Sequence, residues 1–160
     1  MRRKDREITD TRELLEIIKA NKVCRLGMAD ENRPYVIPLN YGFEFEGDDL
    51  ILYFHCADEG KKIDVLKKNP EVCFEIDGEH QLTQGKNDCE YGFNFASIIG
   101  FGTVKFLEKE AEKIHALEQL MRHQTGEDRD FQFAPPHIKA VTVFKVETHS
   151  FTGKRRALPI

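Results

Sequence analysis

Val23-Cys24-Arg25-Leu26-Gly27-Met28-Ala29, then Pro34-Tyr35-Val36-Ile37-Pro38-Leu39-Asn40-Tyr41-Gly42-Phe43-Glu44-Phe45, then Leu50-Ile51-Leu52-Tyr53-Phe54-His55-Cys56 is the run whose reading decides the fold. Each segment is rich in aliphatic and aromatic residues. They are separated only by Asp30-Glu31-Asn32 and Glu46-Gly47-Asp48-Asp49, which are polar turn sequences. Turns this short join antiparallel neighbours and leave no room for a crossover helix, so a three-stranded meander is predicted.

On the N-terminal side, Asp10 with Glu13 makes a capping-box-like start. Leu14, Leu15, Ile17 and Ile18 then give a short amphipathic helix ending near Asn21. On the C-terminal side a helix follows Gly60 and stops at Asn69-Pro70, because proline disfavours helix in the residue before it. Strand resumes at 71–76, a polar excursion covers 77–88, and 97–108 is a long strand with a bend or bulge expected at Gly100 and Gly102. A second helix starts in the acidic stretch 108–112 and ends at Arg122, His123 and Gly126, with Ile114, Leu117, Leu120 and Met121 facing the core. An irregular loop containing Pro135-Pro136 spans 127–137, and 140–146 is the last strand. The fold class is therefore mainly β with flanking helices, a six-stranded antiparallel barrel whose closure removes exposed sheet edges. No repeat or linker divides the chain, and residues 1–160 read as one domain with basic segments at 1–8 and 150–160.

The charge balance excludes whole classes of partner. Lys and Arg number 24 against 28 Asp and Glu, a net charge of −4, so nothing favours general binding to nucleic acid or an anionic membrane. Basic clusters at Arg2, Arg3, Lys4 and Arg6 and at Lys154, Arg155 and Arg156 leave room for local anion sites. No apolar run follows the N-terminal charges and none approaches the length of a membrane span, which reads as a cytoplasmic protein. Cys24, Cys56, Cys73 and Cys89 lack the close spacing of a zinc site and read as reduced, buried thiols; no metal is expected. His55 and Cys56 are adjacent on a strand and point to opposite faces, so they do not form a ligand pair.

One turn carries a chemical signal. Gly60 is followed by Lys61 and Lys62, two cations where a helix dipole is already positive. A bound phosphate removes that conflict, since helix N–H groups and lysine ammoniums together hold phosphates; a solvated lysine-rich helix is the plainer reading. Ser97 and Ser150 are the only serines and neither lies in an elbow motif, so Ser-His-Asp hydrolysis has little support. Asp48-Asp49 and Glu127-Asp128 fall in turns and read as solvated carboxylates.

The order Pro34-Tyr35-Val36-Ile37-Pro38-Leu39-Asn40, Tyr53-Phe54-His55-Cys56, Gly60-Lys61-Lys62 and Leu66-Lys67-Lys68-Asn69-Pro70 resembles the flavin-binding split barrel of the pyridoxamine 5′-phosphate oxidase superfamily. The opening Met1-Arg2-Arg3-Lys4-Asp5-Arg6, Arg122-His123 and Thr152-Gly153-Lys154-Arg155 are similar to its nitroimidazole-resistance branch. The resemblance implies a split barrel binding FMN at the interface of a homodimer. It places the phosphate on Lys61 and Lys62 after Gly60, with His55 and Cys56 near the phosphate and ribityl chain. Backbone groups of Val36, Ile37, Pro38 and Leu39 would line the isoalloxazine ring, with Asn40 at its edge and Lys154 reaching the flavin or the partner chain. His55 is the implied catalytic residue, acting on a small planar acceptor with electrons from a nicotinamide cofactor or another donor.

Two departures bear on the reaction. The oxidases carry arginine and lysine where this chain has Pro38-Leu39-Asn40, and they end in a tryptophan-containing, arginine-rich segment, whereas this chain has no tryptophan. Pyridoxamine 5′-phosphate oxidation is therefore not expected. A flavin store or sensor without turnover is one alternative, and a deazaflavin would also bring a phosphate. A haem-binding barrel with His55, His123 or His149 as axial ligand is disfavoured, because the phosphate clamp has no role there and a porphyrin needs a larger apolar cleft. Residues 77–94 and 127–137 are expected to shape the acceptor pocket, with Phe93, Phe95, Phe131 and Phe133 read as loop packing ahead of ligand stacking.

Overall fold

The computed structural model describes residues 3–47 and 49–156. A 3-10 turn at Lys4–Arg6 leads into β1 (Glu7–Ile8), α1 (Thr11–Ala20), β2 (Val23–Asp30), β3 (Arg33–Asn40), β4 (Gly42–Glu46) and β5 (Asp49–Ala57). Then come α2 (Lys61–Lys68), β6 (Glu71–Thr83), β7 (Gly92–Phe106), α3 (Glu110–Thr125), α4 (Pro135–Lys139) and β8 (Val141–Arg156). The sheet has eight strands in the order β3-β2-β6-β7-β8-β5-β4, with β1 added on β8 and every pairing antiparallel.

The six-strand expectation is corrected in two places. The predicted second strand, 34–45, is one extended run broken at Tyr41. Its first half pairs with β2 and its second with β5, so one stretch of chain supplies both ends of the sheet order. β1 is the other addition, from the segment read as a basic N-terminal tail. The basic C-terminal segment is also strand: β8 continues through Arg156, while Met1, Arg2 and 157–160 lie outside the described residues. The predicted loop at 77–94 is shortened, because β6 runs on to Thr83 and β7 begins at Gly92; α4 closes the loop at 127–137.

Alternation builds the core. Cys24, Leu26 and Met28 of β2 point inward while Val23 and Arg25 face out, and Phe54, Phe74, Ile76, Ile98, Phe144 and Val146 fill the interior. Phe54 and Phe144 stack with centroids 5.2 Å apart. Deleting one such ring costs about 3–5 kcal/mol. α1 is capped by Asp10, whose carboxylate accepts from the Arg12 N–H at 2.8 Å, and it buries Ile17 and Ile18. The long β7–β8 ladder bends where Phe101 pairs with Ser150 but Gly102 with Thr148, leaving His149 as the bulged residue. At Gly102 a Cβ would lie 2.5 Å from the Glu147 carbonyl, so only glycine lets the strands approach.

The sheet does not close by hydrogen bonding. β4 pairs with β5 only as far as Gly42 with Tyr53, and Phe54 to Ala57 keep a partner on the β8 side alone. Had that ladder continued, its register would set His55 opposite Asn40 and Cys56 opposite Leu39. Instead β3 turns away to β2, and a split opens between the free edges of β3 and β5.

Tyr41, where the two edges part, is held from several sides. Its hydroxyl lies 2.7 Å from the Ile18 carbonyl and 2.9 Å from that of Asn21. Its own carbonyl receives Gln124 Nε2 at 2.9 Å and His123 Nδ1 at 2.7 Å. Among the described residues, no helix is long and apolar enough to cross a membrane.

Candidate functional site

The edge of β3 is shaped by its prolines. Proline has no N–H to give to a ladder, and Pro34 and Pro38 are four residues apart, so both occupy positions whose backbone groups point away from β2. Val36 and Asn40 share that alternation, which leaves the Val36 N–H and the carbonyls of Pro34, Val36 and Pro38 on the open edge. The side chains of Val36, Pro38 and Asn40 are exposed, while Ile37 and Leu39 pack on the core. Asn40 is already engaged, its amide donating at 3.0 Å to the Lys22 carbonyl and to Gln124 Oε1.

α2 follows β5 and packs against the end of β2. Its N-cap is Gly60, at φ +133°, with no side-chain cap, and the N–H groups of Lys61 and Lys62 have no hydrogen-bond acceptor among the described residues. That backbone angle lies where L side chains are rarely found, which accounts for the glycine. The two lysines diverge. Lys61 Nζ lies 2.9 Å from Asp30 Oδ2, at the end of β2, and 4.8 Å from the Tyr35 ring centroid. The Lys62 charge acts on His55 and Cys56 of β5, and Lys62 has no ion-pair or hydrogen-bond partner among the described residues. Burial first, then the Lys62 ammonium, holds His55 below the ordinary imidazole range, whereas burial raises the Cys56 thiol.

Lys61 thus reaches the β2–β3 side while the Lys62 charge acts on His55 of β5, and the His55 side chain lines a cleft that contains neither lysine nor any residue of β3. Cys56 contributes backbone alone, because its side chain is in the core. Lys154 is not brought there. It sits on β8 beside Ser97, with its ammonium 5.4 Å from the Phe95 ring centroid, and eleven residues beyond Val143, the partner of His55, or roughly 36 Å of strand. Its contacts within one chain are with β7 and β1, and none with α2 is seen among the described residues.

Sequence reasoning missed an apolar cleft on the outer side of β5. His55, Leu117, Leu120, Phe133, His137 and Ile138 line it with Met121 and Val141, and its volume is ≈ 210 Å³. Only Pro135-Pro136, suited to the first turn of a helix, hinted that His137 was not in a loose loop. The other predicted haem ligands lie elsewhere: His123 is buried with both ring nitrogens near carbonyls, and His149 is 2.7 Å from Thr103 Oγ1 on the far strands. No group of three or more His, Cys, Asp or Glu among the described residues could hold a metal ion.

A chain that combines a split antiparallel barrel with an uncapped, lysine-bearing helix start at the split belongs to a definable class. The family model described as pyridoxamine 5′-phosphate oxidase matches residues 10–155, and the chain belongs to that family. Among solved structures, a candidate 5-nitroimidazole antibiotic resistance protein from Bacteroides thetaiotaomicron VPI-5482 is 35% identical, with TM-score 0.79 over 93% of this chain and 86% of that one. An FAD- and haem-binding protein from Mycobacterium smegmatis has TM-score 0.79 at 15% identity, over 97% of this chain and 76% of its own. An FAD-binding protein from Mesorhizobium loti has TM-score 0.64 at 23% identity, covering 95% and 98%. The last two share the fold. No curated protein matches the chain.

Proposed function

We propose that the protein binds FMN at the split and works as a flavin-dependent oxidoreductase that reduces a small planar acceptor. The observation that carries this is the uncapped start of α2 with Lys62 unpartnered beside it among the described residues, an arrangement suited to an anion. Flavin binding in proteins of the same fold supports the reading. When bound, the flavin supplies a ring that accepts electrons from a donor such as a nicotinamide cofactor and passes them to the acceptor.

Each residue then has a defined task. The N–H groups of Lys61 and Lys62 and the Lys62 ammonium hold the phosphate. The Val36 N–H and the carbonyls along β3 meet the heteroatoms of the ring, and the apolar edge carries its face. His55, whose charged form is disfavoured first by burial and then by Lys62, offers an N–H for hydrogen bonding.

The assembly we propose is a homodimer with the flavin between subunits. On the outer sheet face, register aligns Val36, Gly27, Cys73 and Phe101 in one row and Pro38, Arg25, Glu75 and Ile99 in the next. Val36, Ile99 and Phe101 are 59%, 48% and 55% exposed, an apolar surface that a second copy would cover. Lys154 contacts the flavin only from that second copy. The chain acts as a single domain in the cytoplasm. The test is the visible spectrum of the purified protein, with heat release of the chromophore and its mass. FMN and a flavin spectrum that bleaches with a nicotinamide donor support the reading. Flavin that never turns over points to storage or sensing, and a Soret band or a colourless protein overturns it.

A further inference from the structure

Lys105 of β7 and Lys145 of β8 are register partners on the sheet face that α3 covers. Like charges set directly opposite one another on neighbouring strands repel. Glu147 offsets half of that conflict: one oxygen lies 2.8 Å from Lys145 Nζ, the other meets Lys105, and the two ammoniums hold its carboxyl below the ordinary carboxylate range. One carboxylate between two ammoniums leaves a positive charge and unused N–H donors. Across β8 the row continues with Tyr53 of β5, the register partner of Lys145. Tyr53 is buried, and its hydroxyl donates to Glu44, whose other oxygen lies 2.8 Å from His115 Nε2 on α3. Lys105, Lys145, Tyr53 and His115 line a cavity of ≈ 500 Å³ beneath the first turns of α3, with Leu107 and Ala111 as apolar walls.

We propose that this cavity is a second ligand site, independent of the flavin clamp, and that it takes a small aromatic carboxylate. The ligand's carboxylate meets the unused donors of Lys105 and Lys145 and supplies the second negative charge that the lysine pair lacks. Its ring lies against Tyr53, Leu107 and Ala111, and a polar ring substituent reaches the imidazole of His115, which can donate or accept. Glu112, also on the wall, is engaged by Lys109 at 3.3 Å and does not claim the pair. An inorganic anion would leave the apolar walls uncovered, and an uncharged ring would sit beside an ammonium without neutralising it. The volume falls within the range of small-molecule sites, about 300–1,000 Å³. The cavity shares no lining residue with the His55 cleft and none with α2.

The test is titration of the isotope-labelled full chain, as purified, with para-hydroxybenzoate, followed by amide NMR shifts. Binding at about millimolar affinity or tighter is expected, with the largest shifts at Tyr53, Leu107 and Ala111. Neutral para-hydroxybenzamide, which has the same shape, should bind about tenfold more weakly or worse, a comparison that needs no variant. Lys105→Met/Lys145→Met should abolish binding of the acid, and Glu147→Gln, which frees both ammoniums, should tighten it. Ala111→Trp, which fills the cavity from an exposed position on α3, should block binding with an unchanged far-UV circular dichroism spectrum. Equal binding of acid and amide, binding that survives Ala111→Trp, or no saturable shift with para-hydroxybenzoate, benzoate or phenylacetate would each overturn the carboxylate site. None of these outcomes bears on the flavin clamp, which Lys61 and Lys62 test separately.

Discussion

Lys61 Nζ and Asp30 Oδ2 are 2.9 Å apart, so the first cation of α2 is paired before any ligand arrives, while Lys62 is not. The two lysines should therefore be unequal. Lys62→Ala is expected to weaken flavin binding more than Lys61→Ala does. Asp30→Asn, which releases Lys61 from a competing carboxylate, should tighten binding by about two- to fivefold, the worth of an exposed ion pair. Equilibrium titrations of the three variants check this. Weaker binding in Asp30→Asn would show that the pair orients Lys61 and does not compete for it.

His55 should report the arrival of the phosphate. Its imidazole is held below the ordinary value of 6.5 by burial and by Lys62. An anion on Lys62 removes the second cause, so the bound form should titrate at higher pH than the free form. A group whose pKa rises on binding takes up a proton, and flavin affinity should therefore increase as pH falls through the interval between the two values. Imidazole NMR titrations with and without FMN measure it directly. An unmoved His55 would place the phosphate elsewhere.

His123 should set part of the acid sensitivity of the fold. Burial is the largest influence on it, outweighing the Tyr41 carbonyl that favours the charged ring, and it titrates below 6.5 in the folded protein. The unfolded chain then binds more protons, so stability present above pH 6.5 is lost as pH falls towards the folded value. His123→Gln should flatten the stability slope between about pH 7 and 5. His123→Ala, which also removes the tie to Tyr41, should cost about 2–3 kcal/mol in denaturant unfolding at neutral pH.

Gly60 at φ +133° has open space where a Cβ would stand, so the cost of a side chain there is conformational. Gly60→Ala should lower stability by about 1–3 kcal/mol and weaken FMN binding by turning the first N–H groups of α2 away. Thermal unfolding and titration of one sample give both numbers. A stable variant with unchanged binding would remove Gly60 from the clamp.

On the proposed dimer, Phe101→Asp should leave the fold intact and give a monomer by analytical ultracentrifugation, with reduced flavin content. A wild-type protein that sediments as a monomer would reject the interface.

The parts of the fold set by local pattern were legible in the sequence. Helix boundaries at Asp10, Asn69 and Gly126 and the alternation of β2 and β5 follow from capping, proline sterics and period-two burial. The strand count was not, because nothing local marks Tyr41 as the point where an extended run changes partners. That break comes from carbonyls of α1 and side chains of α3, far away in sequence. The start of α2 at Gly60-Lys61-Lys62 was legible, as a glycine and two lysines placed against a helix dipole. Asp30 as a competitor for Lys61 was not, since it arises from how α2 sits on β2. The cleft at His55 and His137 needs four elements, β5, α3, α4 and β8, spread over about 80 residues of chain, and no spacing in the sequence encodes that.

The most direct measurement is FMN binding to the wild-type protein and to the Lys61→Ala/Lys62→Ala double variant, with far-UV circular dichroism on both. Saturable binding by the wild type, lost in a folded double variant, is the predicted result. Binding retained when both cations are gone would contradict the clamp and move the flavin away from the start of α2.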